Sequence, residues 1–149
     1  IQLYYVKKAC CNIIKMKLIK LTDYPFHYKI QTRWRDMDSF MHVNNAIFLT
    51  YIEDARVNLF KRWNLIDKTK SIIVASIKLD FLQQLTHPSE LIVGQKISRI
   101  GTTSFDIASA VFKNDEPDAV ATSKVICVCF DYQRNKSVSV YSEIISDST

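Results

Sequence analysis

The side chains with the most chemical potential fall in one polar stretch, Arg35-Asp36-Met37-Asp38-Ser39-Phe40-Met41-His42. Directly after it, Asn44-Asn45 is a helix N-cap signal, because asparagine side chains accept the orphan amide hydrogens of a first helical turn. A helix start presents free N–H groups and roughly half a positive charge. A carboxylate in the loop before such a start can act as general base on water or as a nucleophile, and an ordinary aspartate (pKa ~3.9) is ionised at pH 7. Other readings stay open. Asp38 reads equally as a loop or capping carboxylate, and His42 as a catalytic group or a loop-fixing hydrogen-bond partner. Asp36, Asp38 and His42 are metal-ligand types, but nothing else in the chain completes a ligand set, so no metal and no cofactor are expected.

The flanking elements must position these groups. Residues 26–34 alternate, with Phe26, Tyr28, Ile30 and Trp34 on one side, which predicts a half-buried strand. From Ala46 to about Trp63, apolar residues recur at Phe48, Ile52, Ala55, Leu59 and Trp63, and Leu49, Val57 and Phe60 widen the stripe. A helix this apolar is expected to be wrapped over most of its girth. Glu53 and Arg56 are three apart on one face of it and should pair with each other or with a neighbouring subunit. Four strands follow, at 72–82, Glu90–Arg99, Ser104–Lys113 and about Ala119–Tyr132. Their hairpin-length connections predict antiparallel neighbours. The order predicts an α+β domain, one long central helix wrapped by a curved antiparallel five-stranded sheet. Residues Arg134–Thr149 are polar with little periodicity.

Composition narrows the class. At 149 residues the chain fits one domain, and with 48% hydrophobic residues it can bury a core. The net charge of +5 suits phosphorylated ligands, yet five of the lysines (Lys7, Lys8, Lys15, Lys17 and Lys20) lie in the first twenty residues. Charge therefore gives no case for nucleic acid as a partner. The four cysteines, Cys10-Cys11 and Cys127-x-Cys129, lack zinc spacing and read as buried free thiols of a reducing cytoplasm. No stretch approaches the ~20 apolar residues that span a bilayer, so stable membrane insertion is not expected. Met16, followed by Lys-Leu-Ile-Lys-Leu, reads as a native start, with residues 1–15 an upstream extension; an amphipathic basic anchor is the alternative.

The run from Arg33 to Arg56, with its D-x-D-x-x-x-H-V-N-N and Y-x-E-x-A-R blocks, resembles the signature of the 4-hydroxybenzoyl-CoA thioesterase-like hotdog proteins. Bacterial acyl-CoA thioesterases and plant acyl-ACP thioesterases share it. An Ile-Gly-x-x-Ser turn at Ile100–Ser104 extends the likeness, which covers roughly Tyr24 to Tyr141. The resemblance implies a hotdog domain over 21–141, between a leader (1–20) and a polar tail (142–149). It implies hydrolysis of acyl-CoA, or of acyl-carrier-protein thioesters, with Asp38 as the working carboxylate and a backbone N–H near Asn45 as oxyanion donor. In the plant branch a histidine, matched by His42, and an asparagine take part. Phe40 stands at that asparagine position, which favours the single-carboxylate version. Family members dimerise by joining sheets edge to edge, and dimers often pair, so a homodimer or homotetramer is expected.

Other functions on the same fold are weighed against these residues. A non-catalytic acyl-CoA sensor of this class carries a helix-turn-helix ahead of the hotdog, and the leader here lacks that pattern. The hotdog hydratase motif is absent. In some hotdog thioesterases a helix glutamate is catalytic, which keeps Glu53 as a lesser candidate. Cys127 and Cys129 read as core packing.

Overall fold

The computed structural model describes residues 19–65 and 70–148. Cys10, Cys11, Met16 and the start expected there lie outside the described residues. The elements run β1 (Phe26–Gln31), α1 (Asn45–Arg62), β2 (Ser71–Phe81), β3 (Glu90–Ile100), β4 (Ser104–Lys113), β5 (Ala119–Asp131), β6 (Lys136–Ser137) and α2 (Ser142–Ser146). All pairings are antiparallel, in the order β1-β3-β4-β5-β2, with β6 beside β5. Register shifts at Val74/Ser76, Ile97/Arg99 and Val111/Phe112 bend the strands, and the helix packs on the curled sheet. Five full strands and one long helix are present as expected; β6, of two residues, is an addition.

One hydrophobic core joins helix and sheet. Phe48, Tyr51, Ile52, Ala55, Leu59 and Trp63 of the helix side meet Leu91, Val93, Phe105, Ile107, Val111, Val125, Cys127 and Cys129 from alternate strand positions. Among the described residues the helix is covered mainly on this face. Leu49 and Val57, expected inside, stay exposed, because a single sheet layer reaches one side of a cylinder and leaves the other open.

Two further expectations need correction. Strand β2 is not the neighbour of β3 but lies at the edge against β5. The connection between them is no hairpin: Leu85 is buried in it, and its carbonyl accepts the Val43 N–H (2.7 Å), so this segment runs across the loop before the helix. The first strand also ends early. Thr32 N–H bonds to Ser89 O (3.0 Å), and the chain then turns through a 3-10 segment, Trp34–Asp36. Trp34, which alternation places inside, is 70% exposed as a result.

The polar C-terminal stretch carries elements that its composition hid. In α2, Ile144 is fully buried. Asp147 accepts hydrogen bonds from Trp63 Nε1 (2.8 Å) and Arg62 (2.7 Å), Glu143 pairs with Lys70, and the Tyr141 hydroxyl meets the backbone of Ser71. This last turn thereby joins the end of α1 to the start of β2.

Candidate active site

The site is built from the segment between β1 and α1. Asp36 is its internal anchor, with 1% exposure. It accepts the Tyr51 hydroxyl (2.6 Å) from nearly two turns into the helix, the Arg33 backbone N–H (2.8 Å) and the Arg33 Nε–H (3.0 Å). Its carbonyl accepts Asn44 N–H (2.8 Å), so a single residue fastens loop to helix by side chain and backbone together. Burial pushes its carboxyl up, but the bonds from Tyr51 and Arg33 outweigh this and hold it below the usual carboxylate range. Burial and the same bond to Asp36 push the Tyr51 phenol well above its ordinary value.

Beyond Asp36 the chain makes a small hairpin. Met37 bridges Val43, Asp38 N–H donates to His42 O (2.8 Å), and Met41 sits at φ 63 to close the turn. Asp38 stands at the base of this hairpin. Its Oδ1 accepts Phe40 N–H (2.8 Å) and His42 N–H (3.3 Å), an Asx-type turn, while Oδ2 has no hydrogen bond among the described residues. The histidine thus meets the loop through its backbone.

The helix begins as its N-cap signal predicts. Asn44 Oδ1 accepts Ala46 N–H (2.9 Å), and Ile47 N–H donates to Asn44 O (2.9 Å). The Asn45 N–H is left without a partner among the described residues, so it is a free donor at the electropositive end of an 18-residue helix.

These groups converge. Asp38, His42 and Asn45 line one concavity of about 310 Å³, walled by Val43 and Phe48 on one side and by Phe81 to Leu85 on the other. All three residues singled out from sequence are therefore in one place. The second wall was not foreseen, although two adjacent apolar residues, Phe81-Leu82, break strand alternation where β2 ends. A larger concavity of about 610 Å³ lies by Lys20–Thr22 and the β4–β5 turn, without such a convergence. Asp36 belongs to the frame, and among the described residues no group of three or more His, Cys, Asp or Glu side chains is arranged to hold a metal. Glu53 pairs with Arg56 (3.1 Å) as its spacing predicts.

The sequence profile of the thioesterase-like superfamily matches residues 32–146. The chain belongs to that superfamily. The match begins just before the Arg33–Asp36 turn and runs through α1 and the strands to the end of α2, so the whole site lies inside it. Among curated proteins, YsmA of Bacillus subtilis, itself uncharacterised, is 30% identical over 120 residues, covering 79% of this chain and 81% of its own. The long-chain acyl-CoA thioesterase FadM of Escherichia coli is 21% identical over 126 residues, covering 78% of this chain and 91% of its own. Among solved structures, a thioesterase from Thermus thermophilus, crystallised with coenzyme A and Zn, superimposes with a TM-score of 0.72 at 26% identity. That alignment covers 83% of this chain and 97% of the other. The curled sheet with one packed helix is thus the hotdog fold of the thioesterase-like superfamily, whose general chemistry is thioester hydrolysis.

Proposed function

We propose that the chain hydrolyses acyl-CoA thioesters to a carboxylic acid and the CoA thiol. Asp38 acts as general base on water or as direct nucleophile, and the Asn45 N–H serves as the oxyanion donor. One observation carries this reading: Asp38 and Asn45, whose N–H has no partner among the described residues, line the same cavity at the N-terminus of α1. Polarisation by that amide and by the helix end stabilises negative charge as it develops on the thioester oxygen. Asp38 Oδ2 is left to take a proton from water or to attack the carbonyl, while Oδ1 is held by the loop. Cleavage of the C–S bond then releases a thiolate, a good leaving group that needs no strong general acid. His42 stands beside the same carboxylate as an auxiliary polar group. The acyl-CoA substrate is favoured by the likeness to FadM and to the coenzyme A-bound Thermus protein.

A second reading follows from the Asx turn. If the only task of Asp38 is to hold Phe40 and His42 amides, the chain is a non-catalytic acyl-CoA-binding protein. Thiol release from a panel of acyl-CoA esters separates the two. Asp38→Asn keeps an acceptor for the turn but loses the charge, and the expected loss is at least ~100-fold, typical of a general base. An unchanged rate in the variant rejects the catalytic role.

The reading also includes a homodimer or homotetramer. Strand β2 is a sheet edge on which Val74, Ile77 and Phe81 are exposed, next to Leu82 of the pocket wall. Pairing of two such edges would cover them and close the cavity from its open side.

A further inference from the structure

We infer that the corner made by Trp34, His87 and Arg35 seats the nucleotide end of coenzyme A, so that the chain selects free CoA thioesters over thioesters lacking that nucleotide. This rests on the acyl-CoA reading above and adds to it a site for the part of the substrate that does not react.

Trp34 is 70% exposed, a large aromatic left in water by a turn that is itself rigidly held. The bonds from Arg33 to Asp36 fix that turn from within. His87 is fixed as well, with Nδ1 and Thr32 Oγ1 3.0 Å apart. The imidazole stands edge to face with the indole, centroids 6.3 Å apart at 84°. No other ring among the described residues contacts the indole, so aromatic surface remains open. Arg35, the next residue in the chain, is exposed and has no ion pair or hydrogen bond among the described residues. An exposed indole followed in the chain by an uncommitted guanidinium suits one chemical class, a phosphorylated purine: the base stacks on the indole, and the fork of N–H donors meets phosphate oxygens.

The corner lies on the same two loops as the cavity. Val43 and Leu85 tie these loops together at the cavity, and Thr32 and His87 tie them again beside the indole. Trp34 and Asp38 are four positions apart, at most ~14 Å along the chain, a span that an extended pantetheine arm covers. A thioester placed at Asp38 thus has its nucleotide within reach of Trp34.

The chain's two tryptophans make this testable by intrinsic fluorescence. Trp63 is buried and hydrogen-bonded to Asp147, which leaves Trp34 as the surface reporter. Titration of the full chain with CoA is expected to quench emission, and titration with pantetheine is not. Trp34→Leu should abolish the quench, and calorimetry should show CoA binding weakened about 10-fold in it and in Arg35→Gln, in the range of stacking and phosphate contacts. In steady-state assays, the preference for acyl-CoA over acyl-pantetheine should collapse towards one in both variants. Absence of quenching by CoA overturns the inference, as does an equal fall on both substrates. Shielding of Trp34 from iodide in the ligand-free oligomer also overturns it, since a second copy would then cover the ring. CoA binding lost in the variants, with no thioester cleaved by the wild type, would instead leave this site standing and reject the hydrolase. Hydrolysis with no preference for the nucleotide rejects this site alone.

Discussion

Asp36 and Asp38 differ in every physical respect although one residue separates them. Asp36 is sealed from water with a phenol, a guanidinium and an amide on its oxygens, whereas Asp38 faces a cavity with one oxygen unbonded. Because Asp36 titrates below an unfolded carboxylate (~3.9), its stabilisation is complete above about pH 4 and is lost as pH falls through the lowered folded value. Asp106, held below the usual range by Arg99 and Lys124, acts in the same direction. Asp36→Asn should therefore cost about 1.5–3 kcal/mol at neutral pH, as for hydrogen bonds to a charged group, and should flatten the acid limb of stability. Urea unfolding at stepped pH measures both; a variant that keeps the full acid limb removes Asp36 as its source. That Asp38, His42 and Asn45 share one cavity was legible because they crowd one short stretch beside a cap signal. The role of Asp36 was not, since its partner Tyr51 lies fifteen positions away and its meaning exists only once the loop folds back on the helix.

At the scale of elements, the start of α1 connects stability to chemistry. Asn44 occupies the Ala46 amide and leaves the Asn45 amide bare. Asn44→Ala should cost about 1 kcal/mol in thermal unfolding, the usual cost of a lost N-cap. It should also lower thioester turnover if the first turn frays, and full activity at equal helix content would detach the cap from the oxyanion site. Residue spacing revealed this helix and five strand positions, because periods of 3.6 and two are written locally. It misplaced β2, since a segment of hairpin length reads the same whether it folds back or crosses the end of a sheet. It also placed Trp34 inside, because the apolar alternation runs on to Trp34 while the backbone turns there into the 3-10 segment Trp34–Asp36.

For the whole molecule, the open edge along β2 sets the expected assembly. Ile77→Lys puts a charge on that edge without disturbing a buried residue of this chain. Light scattering at micromolar concentration should show a dimer or tetramer for the wild type and a shift towards monomer in the variant. A wild-type monomer would reject the edge pairing.

In the proposed reaction a thiol is set free at each turnover, and the disulfides it forms threaten any reactive cysteine. Cys127 is shielded from that fate. Burial pushes its thiol up to about 12, so at pH 7 it stays protonated and unreactive, and none of its surface is exposed. Neighbouring Cys129 is enclosed and likewise raised by burial. The two sulfur atoms therefore sit as inert packing on the stretch of β5 that pairs with Ile72 and Val74, away from the Phe81 end of β2 that walls the cavity.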